Sequence, residues 1–563
     1  SRSSTPPTAT EEPVIPPTVE PVATLDPIVQ EIPTTLPEVL DQLPADITVI
    51  IMVDDQIEPM ATLEAANTFV VGDPIWCPDG DPPIPGVGNC TTTYLDLFSL
   101  IDDIDNGVIP QPAEDGTIWI MGGNDASSSD ISIDGTSLNF STWSNYSLTL
   151  QGGWDGTSTI GSNISGSSVF SVPVSIVNWG GPVTINQIVI DGTNSTGLEI
   201  ETSGDIALDE VSSINNSGNG AELTSLGSVT LTSVNIFDDN DDTGLYISAT
   251  DDIDVENLSA DGNGAGGIAG NGAELYSMSG SVTLSGVNTF EDNFDAGLYV
   301  EATGDVDVEN VTASGNGGSG AELASSAGGV NLIGTLVFED NTLTGLFVDA
   351  FADIDAENIT ASDNGAGGAD MNSSGGSVFL SGSNIFVDND VTGLVVDALG
   401  DIDVISVTAS GNGSGGVSGG GAELNSSTGN VSVTGINFFD DNFESGLFVD
   451  VVGDIDAENI TASNNGSNGA DLSSSAGAVF LSGTNVFNDN NTSGLVVDSF
   501  GDIDVSNVTA SGNGAGSGAE LDSSTGNVSL TGTNVFEDNN DNGLSVDAGG
   551  DIDAENITAG GNG

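Results

Sequence analysis

The sequence predicts an all-β fold in which short parallel strands stack in successive coils, a parallel β-solenoid. A phrase such as GDIDVSNVTASGNG, residues 501–514, recurs through most of the chain. Apolar and polar residues alternate within each copy, which is the period of a strand with one buried face. Repeats of about 20–50 residues are typical of solenoids and arrays.

The length of the repeat follows from the first Asp of each DID-like phrase. These residues are Asp205, Asp252, Asp305, Asp353, Asp401, Asp454, Asp502 and Asp551, at steps of 47, 53, 48, 48, 53, 48 and 49. Each unit divides into two similar halves, for example 305–323 and 329–348. A half of about 24 residues holds three short strands with their turns, so we interpret it as one coil of a two-coil repeat.

Each half places an Asn before a glycine-led strand. We predict that these side-chain amides stack between coils as a structural ladder. The ladder residues are Asn216, Asn240, Asn263, Asn293, Asn316, Asn341, Asn364, Asn389, Asn412, Asn442, Asn465, Asn490, Asn513, Asn539 and Asn562. Two long steps of 30 residues indicate loop insertions at 264–272 and 413–421.

Neighbouring coils are predicted to alternate in residue size. One inward column has Ala in the first halves and Phe in the second, so that each ring covers a small neighbour at native packing density. The Ala residues are Ala260, Ala313, Ala361, Ala409, Ala462, Ala510 and Ala559, and the Phe residues are Phe237, Phe290, Phe338, Phe386, Phe439, Phe487 and Phe536.

Charge is predicted to alternate in the same way. One outward column carries acids only in the first halves, at Asp254, Asp307, Asp355, Asp403, Asp456, Asp504 and Asp553. Coils are stacked about 4.8 Å apart. Doubling the distance between carboxylates lowers each repulsion in water from about 0.9 to about 0.4 kcal/mol.

The pattern resembles the right-handed parallel β-helix repeats of the pectin-lyase-like superfamily. The preceding region, with GTIWIMGG and LTLQGGWDG, resembles the first coils of bacterial cell-surface proteins of that type. The resemblance covers about 47–563. Composition and the extent of the repeat divide the chain into three parts. Residues 1–46 form an extended Pro/Thr/Glu-rich arm, residues 47–180 an N-terminal cap with irregular first coils, and residues 181–563 the regular repeats. This fold serves lyases, hydrolases, adhesins and inert scaffolds alike.

Composition excludes several partners. The 563 residues include 85 Asp and Glu, one Lys or Arg and no His, for a net charge of −84. Nucleic acid is excluded, because binding to phosphates needs Lys and Arg. An anionic membrane surface is disfavoured for the same reason, and no apolar run is long enough to span a bilayer. We expect salt or bound cations to screen the charge.

The two cysteines, Cys77 and Cys90, flank a Gly/Pro-rich stretch. In an exported chain such a pair most often forms a disulfide, and two free buried thiols are the alternative.

The sequence predicts no catalytic residues and no organic cofactor. Without His or Lys there is no ordinary pair of nucleophile and base. Paired carboxylates could still hydrolyse a glycoside, so a polysaccharide hydrolase stays an alternative. Acidic turns offer oxygen ligands for Ca²⁺ at Asp239, Asp292, Asp441 and Asp538. The competing interpretation is that these turns are solvated and hold only loose counterions.

A second outward column alternates acids with aromatic or aliphatic residues. Tyr246, Tyr299, Phe347 and Phe448 in this column either make a lateral contact or are ordinary outward β-formers.

We therefore expect an extracellular structural protein, a subunit of a surface filament, sheath or stalk. The last repeat, DIDAENITAGGNG at 551–563, breaks off within a coil, so either the array was cut from a longer gene product or another subunit completes it. We expect subunits to join head to tail, with the arm as connector. The alternative is an adhesin or carbohydrate-binding β-helix that uses the aromatic column and the loop insertions.

Overall fold

The computed structural model describes residues 74–156, 166–267, 270–416 and 418–563. All of them belong to one compact unit, Val70–Gly563. The predicted arm at 1–46 and the first part of the predicted cap, residues 47–73, lie outside the described residues.

Each coil of the repeat contains three short strands that form three faces. In one coil these strands are Leu346–Ala350 on face 1, Ile354–Glu357 on face 2 and Ile359–Ser362 on face 3. Each strand pairs in parallel with the equivalent strand of the coil before and the coil after. The predicted parallel β-solenoid of about 24 residues per coil is therefore confirmed.

Among the described residues, face 1 is a stack of seventeen strands. They are Ile131–Asp134, Val174–Trp179, Leu198–Thr202, Ala221–Ser225, Leu245–Ala249, Ala273–Ser277, Leu298–Ala302, Ala321–Ser325, Leu346–Ala350, Ala369–Ser373, Leu394–Ala398, Ala422–Ser426, Leu447–Val451, Ala470–Ser474, Leu495–Ser499, Ala519–Ser523 and Leu544–Ala548.

Faces 2 and 3 share two strands, Val306–Thr312 and Val330–Glu339, which run through the corner between them. The other strands of face 2 are Gly116–Met121, Leu148–Trp154, Val183–Asn186, Ile206–Asp209, Val229–Thr232, Ile253–Glu256, Val282–Ser285, Ile354–Glu357, Val378–Ser381, Ile402–Ile405, Val431–Thr434, Ile455–Glu458, Val479–Ser482, Ile503–Ser506, Val528–Thr531 and Ile552–Ala554. Those of face 3 are Gly123–Asn124, Ser168–Phe170, Ile188–Asp191, Ser212–Ile214, Asn235–Ile236, Leu258–Ser259, Asn288–Thr289, Ile359–Ser362, Asn384–Val387, Val407–Ser410, Asn437–Phe438, Ile460–Thr461, Asn485–Val486, Val508–Thr509, Asn534–Glu537 and Ile557–Gly560.

A helix and an antiparallel strand precede the coils. Ile75–Pro78 pairs antiparallel with Gly116–Met121. The helix Leu97–Asp105 begins after Asp96, whose carboxylate accepts a hydrogen bond of 2.7 Å from the Ser99 N–H. Its apolar face is buried in the same core as the first coils. A short 3₁₀ helix, Trp143–Asn145, lies within the early coils.

Cys77 and Cys90 form a disulfide. The bond closes the loop that follows the antiparallel strand, so the disulfide interpretation holds and the alternative of two free thiols does not.

The interior alternates in size as the sequence predicts. On face 3, Phe338 pairs with Ala361, Ala361 with Phe386, and Phe386 with Ala409. All four are buried, with at most 1% of their surface exposed. A ring from one coil therefore lies over a methyl group of the next throughout the regular repeats.

The corner before each ladder Asn has a left-handed backbone and is occupied by Asp, Asn or Gly, the residues that adopt this conformation most readily. Asp239 (φ 55°) and Asp292 (φ 55°) occupy this corner in alternate coils, with Gly262 (φ 67°) in the coil between them. A Cβ atom on Gly262 would lie 2.8 Å from Oδ1 of Asp239. Glycine thus leaves the space into which the carboxylate of the preceding coil folds.

Candidate functional site

The predicted ladder residues form one uninterrupted chain of hydrogen bonds from Asn216 to Asn562. The Nδ2 group of each donates to Oδ1 of the next at 2.8–3.2 Å. The same oxygen accepts the backbone N–H of the preceding Asn, as Asn364 does for Asn341 at 3.1 Å. The ladder therefore joins every regular coil to the next through buried polar groups whose partners are internal.

A second set of buried Asn residues was not predicted. Its members lie on face 3 of alternate coils and are fully buried: Asn235, Asn288, Asn384, Asn437, Asn485 and Asn534. Asn384 shows their contacts, since its Oδ1 accepts the Ile359 N–H at 3.2 Å and its Nδ2 donates to the Ser381 carbonyl at 3.0 Å. The signal in the sequence is an Asn two residues before each core Phe, with Leu336 as the exception.

The outward acids of face 2 alternate with other residues in the register that was predicted. Asp355 pairs with Phe379, and Phe379 pairs with Asp403. The remaining members of the column follow the same rule.

The four predicted Ca²⁺ ligands lie apart from one another. Asp239, Asp292, Asp441 and Asp538 each occupy an exposed left-handed corner in a different coil. Within the part of the chain that the structure describes, three or more His, Cys, Asp or Glu side chains nowhere converge as a metal site. The Ca²⁺ site stays a prediction.

Two half-buried carboxylates on neighbouring coils of face 3 stand out electrostatically. Burial raises the pKa of Asp238 to about 6. The hydrogen bond from the Asp261 N–H lowers this pKa, and the negative charge of Asp261 raises it further. Burial also raises the pKa of Asp261. The Ser259 hydroxyl lies 2.9 Å from Oδ1 of Asp238 and 3.2 Å from Oδ2 of Asp261. The folded state therefore disfavours the charged form of both Asp238 and Asp261.

The predicted lateral-contact residues all lie on face 1 and point outward. Tyr246, Tyr299 and Phe448 are half-buried, and Phe347 is 37% exposed. Acids lie above and below each of them, as Glu322 and Asp370 do for Phe347.

A more exposed apolar column follows face 1 at the corner toward face 2. Its members, here named the corner stripe, are Phe351, Leu399, Val452 and Phe500, and they are 40–54% exposed. Serines occupy this corner in the coils between them, at Ser374, Ser427 and Ser475. An Asp lies two residues away on each side of every stripe residue, as Asp349 and Asp353 do for Phe351. Sequence analysis did not predict this stripe. Its signal is an apolar residue at the centre of each of the phrases DAFAD, DALGD, DVVGD and DSFGD.

Three of the five tyrosines cluster on face 1. The Tyr276 ring centroid lies 5.6 Å from that of Tyr246 and 5.7 Å from that of Tyr299, so the rings form a zigzag over three successive coils. Tyr276 was not among the predicted contact residues, because it belongs to the neighbouring outward column.

The tyrosine cluster opens into a cavity of about 560 Å³. We name it the tyrosine groove and define it by Tyr246, Tyr276, Met278, Glu301 and Asp349, which line it together with Ala324 and several hydroxyl-bearing residues.

The hydroxyl groups of Tyr276 and Tyr299 each donate a hydrogen bond to a carboxylate. The Tyr276 hydroxyl donates to Oε2 of Glu274 at 3.1 Å, and the Tyr299 hydroxyl donates to Oε1 of Glu301. Burial and the Glu274 carboxylate raise the pKa of Tyr276. The hydrogen bond to Glu301 raises the pKa of Tyr299 to about 12. Both rings are therefore neutral phenols over the physiological pH range.

A second cavity, of about 820 Å³, lies beside the loop insertion at 413–421. Phe443, Glu444 and Phe448 line it together with Gly420. Phe443 is 51% exposed, and Phe294 has the same place beside the first insertion, where it is 47% exposed.

Comparison with known proteins agrees with this architecture. The model of the family described as right-handed beta helix region matches residues 231–347 and, in an overlapping match, 263–409. The chain is a right-handed parallel β-helix repeat protein. A comparison with curated proteins found no match. A comparison with solved structures found none either. Among the described residues, no helix has the length and apolar character needed to cross a membrane.

Proposed function

We propose that this protein is a structural extracellular protein, a subunit of a self-assembling surface filament, sheath or stalk. The corner stripe carries this proposal. Exposed apolar residues that recur along one corner of alternate coils provide a regularly spaced surface for contact with another copy of the chain. The disulfide supports an extracellular setting, since such bonds persist in oxidising compartments.

The charge pattern sets the conditions for assembly. Each stripe residue lies between two Asp residues, so two copies that meet at this corner bring carboxylates together. Such contact is repulsive in dilute salt and becomes favourable once the charges are screened, bridged by Ca²⁺ or other cations, or protonated. The proposal therefore includes a cation requirement, but no bound cofactor.

The same proposal includes head-to-tail contact between subunits, with the arm at 1–46 as the connector. We do not propose an enzyme. The chain has no His or Lys to pair with a nucleophile.

The experiment is analytical ultracentrifugation of the full chain across a salt and Ca²⁺ series. The test variant is Phe351→Ser with Phe500→Ser, which copies the serines of the intervening coils. The control is Phe480→Ser, which removes a Phe that is 37% exposed on face 2 and copies Ser432 of the same column.

We expect the parent chain and the control to assemble as salt rises, and the test variant to assemble less. A parent chain that stays monomeric in all conditions would contradict the proposed function. Equal assembly of all three proteins would show that the corner stripe is not the contact.

The second candidate is an adhesin or carbohydrate-binding β-helix. The observation that favours it is the tyrosine groove, because aromatic side chains with a few converging polar groups are the usual lining of a small-molecule site.

A further inference from the structure

We propose that the tyrosine groove binds an amino sugar, that is, a saccharide whose amino groups are protonated. This inference deepens the second candidate function and does not depend on assembly through the corner stripe, because none of the stripe residues lines the groove.

The shape of the groove follows from one outward column of face 1. Ser248, Tyr276, Glu301, Ala324 and Asp349 succeed one another in five neighbouring coils. Ala324 is the small residue between two carboxylates, and its short side chain leaves a notch between Glu301 and Asp349. With strands about 4.8 Å apart, the two acids are separated by about 9.6 Å along the stack.

The groove has a size suited to a sugar unit or two. Its volume of about 560 Å³ lies within the range of about 300–1,000 Å³ found for small-molecule sites. One end is aromatic, with the half-buried rings of Tyr246 and Tyr276 and the thioether of Met278, which is 66% exposed. An apolar ring face can pack there, and an ammonium group next to it gains cation–π attraction.

The polar side of the groove consists of hydrogen-bond acceptors and hydroxyls. Glu301 and Asp349 provide carboxylates, which bind ammonium groups through short, charge-assisted hydrogen bonds. Ser326 adds a hydroxyl that can donate to or accept from a sugar hydroxyl, and the Thr303 hydroxyl, which donates to the Met278 carbonyl, can still accept.

The charge of the groove favours a cationic saccharide over acidic and neutral ones. No Lys or His exists in the chain, and its single Arg is Arg2, in the arm region. An acidic sugar would therefore meet carboxylates without a compensating cation. A neutral sugar could donate its hydroxyls to Glu301 and Asp349 but would leave both negative charges uncompensated. A protonated amino sugar satisfies the aromatic end and the acidic side together.

The first experiment is calorimetric titration of the full chain with a fully deacetylated glucosamine tetramer at mildly acidic pH, where its amino groups carry protons. The key variant is Tyr276→Ser, which copies Ser248 of the preceding coil and leaves the net charge unchanged. We expect binding to weaken about fivefold to tenfold. Phe480→Ser, which copies Ser432 of its own column on face 2, is the control and should bind as the parent does.

The second experiment tests the carboxylates. Glu301→Gln is compared with Glu520→Gln, which removes the same charge on face 1 far from the groove. Only Glu301→Gln should weaken binding of the tetramer, by about fivefold or more. Spermidine, a flexible amine without a sugar ring, should bind the parent and Tyr276→Ser equally, through the general negative charge.

Two results would overturn the proposal. One is equal binding of the tetramer to the parent, Tyr276→Ser and Glu301→Gln, which would mean that only the overall charge attracts it. The other is equally tight binding of the N-acetylated tetramer, because that ligand lacks the charge for which the groove is proposed. Thermal unfolding of each variant checks that the fold is unchanged, and neither result bears on assembly.

Discussion

Oδ1 of Asn364 accepts two hydrogen bonds from Asn341, one from its backbone N–H and one from its side-chain Nδ2, both at 3.1 Å. Nδ2 of Asn364 donates in turn to the Phe338 carbonyl at 2.9 Å and to the next Asn of the ladder. One buried side chain thus satisfies polar groups of three successive coils.

Replacing Asn364 by Ala should destabilise the surrounding coils by more than about 3 kcal/mol. The change leaves two N–H donors of Asn341 and one carbonyl without partners, and each such buried group costs about 1–3 kcal/mol. Asn372→Ala, which removes a half-buried, outward-facing Asn that bonds to Asp349, is the control. Hydrogen exchange of the backbone amides measures the effect coil by coil, and equal protection in the two variants would contradict it.

The alternation of Phe and Ala in the core predicts opposite packing defects in neighbouring coils. Phe386→Ala should cost about 3–5 kcal/mol, because it opens a cavity between Ala361 and Ala409. Ala361→Leu should cost about 1–3 kcal/mol through overpacking between two rings. Phe379→Ser, on the outer surface of face 2, should change stability little. Denaturant unfolding compares the three, and a harmless Ala361→Leu would refute close packing at this column.

The raised pKa of Asp238 predicts that stability increases as the solution is acidified. Its folded-state pKa of about 6 exceeds the ordinary value of 3.8, so the folded state binds the proton more tightly. Stability should therefore fall as pH rises through the window from about 3.8 to 6. Asp238→Asn should stabilise the protein at neutral pH by about 1 kcal/mol and reduce this pH dependence.

Asn488 indicates that an Asn side chain fits at the position equivalent to Asp238. It follows a core Phe as Asp238 does, and it accepts the Ser511 N–H at 2.9 Å, the distance at which Asp238 accepts the Asp261 N–H. The control is the exposed Asp239→Asn. Melting temperatures at several pH values measure both variants, and an unchanged pH profile for Asp238→Asn would exclude a role for that carboxylate.

Charge alternation on face 2 predicts a salt-dependent penalty when it is broken. Phe379→Asp would place three acids on successive coils, between Asp355 and Asp403. Repulsion between the new carboxylate and its two neighbours at about 4.8 Å should lower the stability of the fold by about 1–2 kcal/mol in low salt. This loss of stability should shrink as salt is added.

Phe379→Ser copies Ser432 of the same column and separates the loss of the ring from the added charge. The melting temperature of the parent chain should itself rise with salt. A penalty for Phe379→Asp that is the same at all salt concentrations would rule out repulsion as its cause.

The columns of the solenoid could be predicted because the repeat supplies its own register. Once the DID phrases and the ladder Asn residues are aligned, each residue has an equivalent in the next coil, and strand alternation assigns it inward or outward. Phe338 and Ala361 could be placed in one column in this way, as could Asp355 and Phe379.

Contacts between columns were harder to predict than contacts within a column. Tyr246 and Tyr299 share a column, but Tyr276 reaches them from the adjacent one, and alignment does not show how far a ring extends sideways. The same holds for the corner stripe, where exposure depends on how the chain leaves face 1. The buried Asn set of face 3 was visible as a repeated Asn before Phe, but its burial depended on the shape of a corner.

The sequence by itself determined the stacking, since period, alternation and residue size are all properties of the linear order. Only the tertiary structure decided where side chains of different columns converge. Burial raises the pKa of Asp238 because Asp261 and Ser259 of the next coil close over it, and the groove exists because Ala324 lies between Glu301 and Asp349. Such effects depend on distances across the surface, which linear order does not contain.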